Sequence, residues 1–266
     1  MIGLGTYTFF WQWHPSAPTP VGWRTMLDKT RDFGCSVFQF CDYAPFHEIT
    51  SREMGDIARY ADALGIQLEL GTRGLDAGHL DHYIGFCQQA DARVLRSMVK
   101  ADEIANAEDL IREVLPSLER ADVSLSLETY EQIRVPQLVE LVHAVDSEHV
   151  GICLDPANSV AALDMPAHTI ELCAPYVNNL HVKDFAFTRR DGWVGFTYTG
   201  TTLGDGLLDY DSMVTRTQAV ERGISQIVEH WLIWQGDSES TCRLEDEWTR
   251  HSLDYLHNHK KGISEP

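Results

Sequence analysis

The chain has 266 residues, 44% of them hydrophobic and 23% charged, with a formal net charge of −19; a length near that of α/β barrels of roughly 250 residues predicts a single domain spanning 1–266. The charge argues against a nucleic-acid backbone as partner, because 21 Lys and Arg form no basic patch against 40 Asp and Glu, and no run approaches the roughly 18 apolar residues of a membrane span. Six cysteines without a C-x-x-C pair read as buried thiols, and Met1 to Phe10 carries no basic region before its apolar stretch, so a reducing, cytoplasmic setting is expected.

Along the chain, short apolar runs alternate with longer stretches of helical period, each break marked by Gly, Pro, Asn or Asp. Strands are predicted at Ile2–Phe10, Ser36–Phe40, Ile66–Leu70, Val94–Val99, Val123–Glu128, Val150–Asp155, Val177–Lys183 and Ser225–Trp231. Helices are predicted at Gly22–Phe33, Arg52–Leu64, His79–Gln89, Ala107–Arg120, Val135–Val145, Ala167–Ala174, Tyr210–Arg222 and Arg243–His257, the third being the least regular. Eight strands alternating with crossover helices define an α/β protein with a parallel sheet, closed as a (β/α)8 TIM barrel. The connection from Phe185 to Asp209 is long and Gly-rich, with the Thr/Tyr/Phe alternation of a hairpin, and reads as a lid inserted after strand seven. Lys260–Pro266 reads as a frayed tail.

The chemistry gathers at the ends of the later strands, where a barrel builds its active site. In SLSLETY, GICLDPANS, NNLHVKDF and QIVEHW, a metal-competent side chain follows a run of apolar or small residues: Glu128, Asp155, His181 and Glu229. They stand 27, 26 and 48 residues apart, one strand-plus-helix step twice and then a step enlarged by the insertion. A single carboxylate closing a buried strand is weak evidence of a ligand, whereas four in successive units form a pattern. Three carboxylates converging in a barrel mouth would repel one another without a compensating cation. Oxygen donors with one imidazole and no thiolate favour one divalent cation, Mn²⁺ first, with Mg²⁺ or Co²⁺ as alternatives. Strand alternation directs Asn179 and Lys183 inward with His181 and turns Asp184 away. Lys183 is a candidate to polarise an oxyanion, or else a charge-balancing partner of Asp184 or another carboxylate.

With the L-D-P-x-N after strand six, the H-V-K-D of strand seven followed by L-G-D-G-L-L-D-Y, and the E-H-W of strand eight, the chain resembles the xylose isomerase-like barrel superfamily over nearly its whole length. That group contains sugar isomerases and epimerases together with endonuclease IV. The resemblance implies that Glu128, Asp155, His181 and Glu229 bind the metal, and that Glu128 and Glu229 take and return a carbon-bound proton through an enediolate of a keto-sugar. Asn158 stands where ketose 3-epimerases have a substrate-binding His, and Arg189 and Arg190 lie near their substrate-binding Arg. A plain ketose 3-epimerase is therefore a poor match, and a lyase on a keto-sugar, eliminating water or an aglycone or releasing CO2, is the alternative. Candidate substrate contacts are Trp11, Gln39, His47, Asn158, Arg189 and Trp231, with Trp13 and Trp234 as further aromatic walls. A repair nuclease is disfavoured by the missing extra histidines and the charge. The expected partner is a small sugar-like molecule; a homo-oligomer or a partner subunit is compatible with the sequence.

Overall fold

A computed structural model describes residues 1–192 and 194–263. Eight parallel strands close a barrel: β1 Ile2–Gly5, β2 Val37–Cys41, β3 Gln67–Gly71, β4 Val94–Ser97, β5 Ser124–Glu128, β6 Val150–Leu154, β7 Val177–Val182 and, closing back onto β1, Gln226–Val228. Between β7 and that last strand, β8 (Asp184–Arg189) and β9 (Phe196–Thr201) pair antiparallel from Asp184↔Thr201 to Arg189↔Phe196, so the insertion is a hairpin as predicted. In chain order the closing strand is β10.

The helices follow from their spacing. Ala107–Ala121 buries Ala107, Ile111, Val114 and Leu118, a stripe at helical period that covers the barrel wall. The doubtful third helix forms in full, Ala77–Ala90, because Asp76 caps it, accepting the His79 backbone N–H at 2.8 Å. The helices before β4, β5 and β6 all end on an aspartate in the left-handed region, Asp91, Asp122 and Asp146 (φ 50°, 54° and 51°), where Asp is tolerated better than most side chains.

Three predicted boundaries are corrected. β1 stops at Gly5, since the Thr6 and Thr8 hydroxyls take over the ladder's work. Thr6 Oγ1 donates to Cys41 O and accepts from Cys41 N, while Thr8 Oγ1 donates to Val228 O and accepts from Gly5 N. The chain then turns into the short helix Phe10–Trp13. A helix not anticipated, Pro156–Ala161, starts directly on Asp155. The last helix, Ser238–Ile263, runs past Lys260; residues 264–266 of the expected frayed tail lie outside the described residues. No helix among the described residues is long and apolar enough to cross a membrane.

Candidate metal centre and catalytic pocket

Each motif has a local physical cause. In L-D-P-x-N, Asp155 is the N-cap of Pro156–Ala161: its Oδ1 accepts from the N–H groups of Ala157 (3.1 Å) and Asn158 (3.4 Å), and Pro156 occupies the first helical position, where no N–H is needed. The cap leaves Oδ2 facing the barrel axis beside Lys183 Nζ at 2.7 Å. Asn158, one turn on, donates from Nδ2 to Glu128 Oε1 at 2.8 Å. In H-V-K-D, alternation directs His181 and Lys183 inward and Asp184 outward. There the Asp184 carboxylate accepts backbone N–H groups from Phe185, Gly204, Gly206 and Leu208, stapling the hairpin's return. A side chain at Gly206 would sit 2.2 Å from Asp184 Oδ1, which accounts for that glycine in L-G-D-G. In E-H-W, Glu229 faces inward. His230 faces the final helix, against Thr249 Oγ1 at 3.2 Å, its pKa pushed down to about 3 by burial.

Glu128, Asp155, His181 and Glu229 meet at the carboxyl ends of β5, β6, β7 and β10, all buried. From His181 Nδ1 it is 3.3 Å to Glu128 Oε1, 3.5 Å to Glu229 Oε1 and 4.0 Å to Asp155 Oδ2. Octahedral donors at about 2.1 Å from a cation stand roughly 3.0 Å (cis) to 4.2 Å (trans) apart, so this spacing fits one. Each of the four also has one buried atom without a hydrogen bond: Glu128 Oε2, Asp155 Oδ2, His181 Nδ1 and Glu229 Oε1. Two of these have ion-pair neighbours, Arg96 at Glu128 and Lys183 at Asp155, which leaves His181 Nδ1 and Glu229 Oε1 confronting one another. Buried polar atoms are almost always satisfied, so such a convergence marks a place built for a ligand. Two overlapping donor groups share His181: Glu128 with Asp155, and Cys41 with Glu229. Burial raises the Cys41 thiol well above its ordinary pKa, which makes it the poorer donor.

The ring orientation of His181 is dictated from below. Its Nε2 meets Gln39 Oε1 at 2.7 Å, and the Gln39 amide cannot turn round, because the amide nitrogen of Gln39 donates to Glu69 Oε2 and Asn179 Oδ1, both at 3.0 Å. Asn179 Nδ2 donates in turn to Glu69 Oε2 (3.1 Å) and Ser225 Oγ (2.8 Å), and Ser225 Oγ donates to Glu69 Oε1 at 2.5 Å. His181 therefore carries hydrogen on Nε2 and directs Nδ1 at the carboxylates; burial opposes its charge, but neighbours including Glu229 and Glu128 raise its pKa well above the ordinary value, so a cation bound at Nδ1 would take the place of a proton.

The sequence offered a metal cation, and Lys183 as one reading, to balance the carboxylates; the structure adds a second protein cation, Arg96. Arg96, buried on β4, pairs with Glu128 and Asp42, and donates to Thr72 O at 2.9 Å. Burial alone would raise the Glu128 carboxyl, but Arg96 and then His181 outweigh it and hold it below the usual range. Lys183 bridges Asp155 and Glu229 (2.7 and 3.0 Å) rather than Asp184; burial opposes its charge, and these carboxylates keep its pKa above the ordinary lysine value.

A cavity of about 230 Å³ opens above the quartet, lined in part by Glu128, Asn158, Lys183, Tyr198, Glu229 and Trp231. Of the predicted substrate contacts, Asn158 and Trp231 line it, and Trp231 also carries Lys183 Nζ 4.5 Å above its ring. Tyr198, from the hairpin, packs edge-on against Trp231 and donates to Ala157 O at 2.7 Å, so the insertion roofs the pocket. His47 lines a separate, larger cavity of about 550 Å³. Three predictions are corrected. Gln39 lies beneath the quartet as the partner of His181, out of reach of a substrate. Trp11 closes the seam between the first and last strands, its Nε1 on Leu232 O at 2.7 Å and its ring on Trp234 at 5.1 Å, so neither tryptophan lines the pocket. Arg189 sits exposed on the hairpin over Phe196. Residues not anticipated are Arg96, Glu69, Asp42, Tyr7, Arg73 and Tyr198. For Arg96 and Glu69 the signal was a charge inside an apolar strand, V-L-R-S and Q-L-E-L-G.

The chain is an enzyme of the xylose isomerase-like TIM barrel family, whose model matches residues 27–259. It is similar, at 50% identity over 260 residues, 96% of this chain and 94% of the relative, to a 3-oxo-isoapionate decarboxylase of Pectobacterium atrosepticum. Among solved structures it superposes on D-psicose 3-epimerase of Clostridium cellulolyticum H10 with a TM-score of 0.73 and 14% identity, covering 97% of this chain and 98% of that one. It also superposes on a xylose isomerase-like TIM barrel protein of Mycobacterium smegmatis in complex with magnesium, with a TM-score of 0.69, 16% identity and coverage of 95% and 96%.

Proposed function

We propose that the chain is a divalent-metal-dependent carbon–carbon lyase that decarboxylates a 3-oxo sugar acid, working as one catalytic domain in the cytoplasm. The observation that carries this reading is the 50% identity with the Pectobacterium decarboxylase along 96% of this chain. The electrostatics of the pocket support it independently. Epimerisation needs a carboxylate basic enough to take a proton from carbon. Here Arg96 stands on Glu128 and, with His181, outweighs burial to hold that carboxyl below the usual range, which makes it a weak base. The lyase alternative is thereby preferred to the isomerase expected first.

A 3-oxo acid carries its ketone β to the carboxylate, so no base at carbon is required. The bond between the carboxylate carbon and the neighbouring carbon breaks, its electron pair moves into the ketone as an enolate, CO2 departs, and a proton is added at the vacated carbon. Glu128, Asp155, His181 and Glu229 would hold the cation, which when bound supplies a Lewis acid for the ketone oxygen; the oxygen-rich set favours Mn²⁺, with Mg²⁺ or Co²⁺ as alternatives. Lys183, with donors on Asp155 and Glu229 and its remaining N–H open to the cavity, stabilises the developing negative charge and is the nearest acid for the final protonation. Asn158 and Arg96 fix Glu128, while Trp231 and Tyr198 keep bulk water from the enolate. The free state of all six cysteines supports a reducing compartment.

The test is to incubate Mn²⁺-loaded protein with a 3-oxo sugar acid and with a panel of neutral ketoses in D2O. CO2 release with one deuterium gained at the vacated carbon, abolished by chelation and restored by metal, is the expected result. Deuterium exchange into a neutral ketose without loss of a fragment would return the reading to an epimerase.

A further inference from the structure

We propose that Arg73 is the docking point for the substrate's carboxylate, at the junction of the catalytic pocket with the larger cavity, and that it makes the enzyme select sugar acids over neutral ketoses. The proposal rests on the sugar-acid reading above and adds the residue that recognises the acid.

Three cations line the catalytic pocket among the described residues, and they differ in how their donors are engaged. Arg96 is buried and tied to Glu128, Asp42 and Thr72 O. Lys183 is buried and tied to Asp155 and Glu229. Arg73, in the loop after β3, keeps 52% of its side chain exposed. The hydrogen bonds it makes come from Nη2, to Tyr7 Oη at 3.0 Å and Asp42 Oδ2 at 2.9 Å. That anchoring aims the guanidinium and occupies Nη2, which belongs to both bidentate edges, so Nε and Nη1 are left to donate singly to an incoming carboxylate. Asp42 is shared between Arg73 and Arg96, and Arg96 also holds Glu128, so two carboxylates face two guanidiniums and Arg73 is the more exposed of the two.

Arg73 and Tyr7 line both cavities. The larger one is otherwise furnished with His14, His47, His79 and Lys100. Lys100 packs on Gly74, the neighbour of Arg73 in the chain: a Cβ there would lie 2.6 Å from Lys100 Nζ, and the backbone sits at φ +90°. Glu103, 4.0 Å from Lys100, offsets part of its charge, and Asp42 is the acid among the residues lining this cavity. Burial, followed by His47 and Lys100, depresses the His79 imidazole and favours its neutral form. In a chain of net charge −19 an approaching acid is repelled by most of the surface. Arg73, half exposed at this junction, offers that acid a local point of attraction.

The experiment compares a four-carbon sugar acid, threonate, with a neutral four-carbon ketose, erythrulose, by titration calorimetry on Mn²⁺-loaded wild type, Arg73→Met and Arg73→Lys. Wild type should prefer threonate. Arg73→Met should lose about 10- to 100-fold in threonate affinity, as expected for loss of a charge-assisted hydrogen bond, with erythrulose within about twofold, and Arg73→Lys should recover part of the loss. In turnover, KM for the 3-oxo acid should rise by more than kcat falls. Wild type without a preference for threonate, or Arg73→Met binding threonate as wild type does, overturns the subsite. CO2 release by wild type combined with that second result sinks the subsite and spares the lyase reading; no CO2 release with the threonate preference lost only in Arg73→Met does the reverse.

Discussion

Two polar layers occupy the inside of this barrel, one above the other, and they are built from the same residue types to opposite ends. In the lower layer, Gln39, Glu69, Asn179 and Ser225 satisfy one another, so that Glu69 accepts from three neighbours although fully buried. In the upper layer, Glu128, Asp155, His181 and Glu229 are equally buried, yet each keeps an atom without a hydrogen bond. A closed network rigidifies, while an open one keeps its donors for something else. The link is the single contact from Gln39 to His181, through which the lower layer chooses which imidazole nitrogen faces the upper one.

The comparison breaks most decisively in the upper layer. Glu229→Gln should remove one metal donor and the partner of Lys183, lowering turnover by about 10³-fold or more with the circular dichroism spectrum retained; a variant with wild-type activity would end the metal assignment. Gln39→Leu should leave the ligands in place but free the His181 ring, weakening Mn²⁺ binding by roughly 10- to 100-fold in a direct titration. Unchanged affinity would mean that the lower layer does not orient the upper.

In the lower layer, Glu69→Gln substitutes one amide oxygen for a carboxylate surrounded by donors, and urea unfolding at neutral pH should register a loss of about 1–3 kcal/mol. Activity per folded molecule should change little. Burial, opposed by the hydrogen bonds from Ser225, Gln39 and Asn179, raises the Glu69 carboxyl above its ordinary value. The folded state thus binds more protons than the unfolded one above about pH 4.5, and the stability Glu69 contributes declines as pH rises through its folded pKa. Glu128, held below the usual range, has the opposite sign and loses its contribution in acid. The gap between wild type and Glu69→Gln should therefore narrow as pH is raised, and a widening gap would contradict the raised pKa. The smallest effect is expected at the roof, where Tyr198→Phe deletes one hydrogen bond to Ala157 O, costing about 1 kcal/mol and speeding amide exchange in β8 and β9 without altering the quartet.

How much of this was legible depended on how local each cause is. The strand-end placement of Glu128, Asp155, His181 and Glu229, the hairpin and the inward turn of Lys183 could be read directly, because a period of two and an insertion's length belong to short segments. The helix on Pro156 was legible in principle from Asp155-Pro156, an N-cap followed by a residue suited to the first turn. Trp11 and Gln39 were legible as pocket-region residues but not in their roles, since a side chain at a strand end can point to substrate, ligand or seam with the same sequence around it.

By itself, then, the amino-acid order determined the alternation of strands and helices, the carboxyl-end position of Glu128, Asp155, His181 and Glu229, and the family to which the chain belongs. Only barrel closure decided who partners whom: Gln39 with His181 across 142 residues, Asn179 with Glu69 across 110, and Arg96 with Glu128. Those pairings depend on the tilt and stagger with which eight strands close, a property of all of them together that no single segment carries.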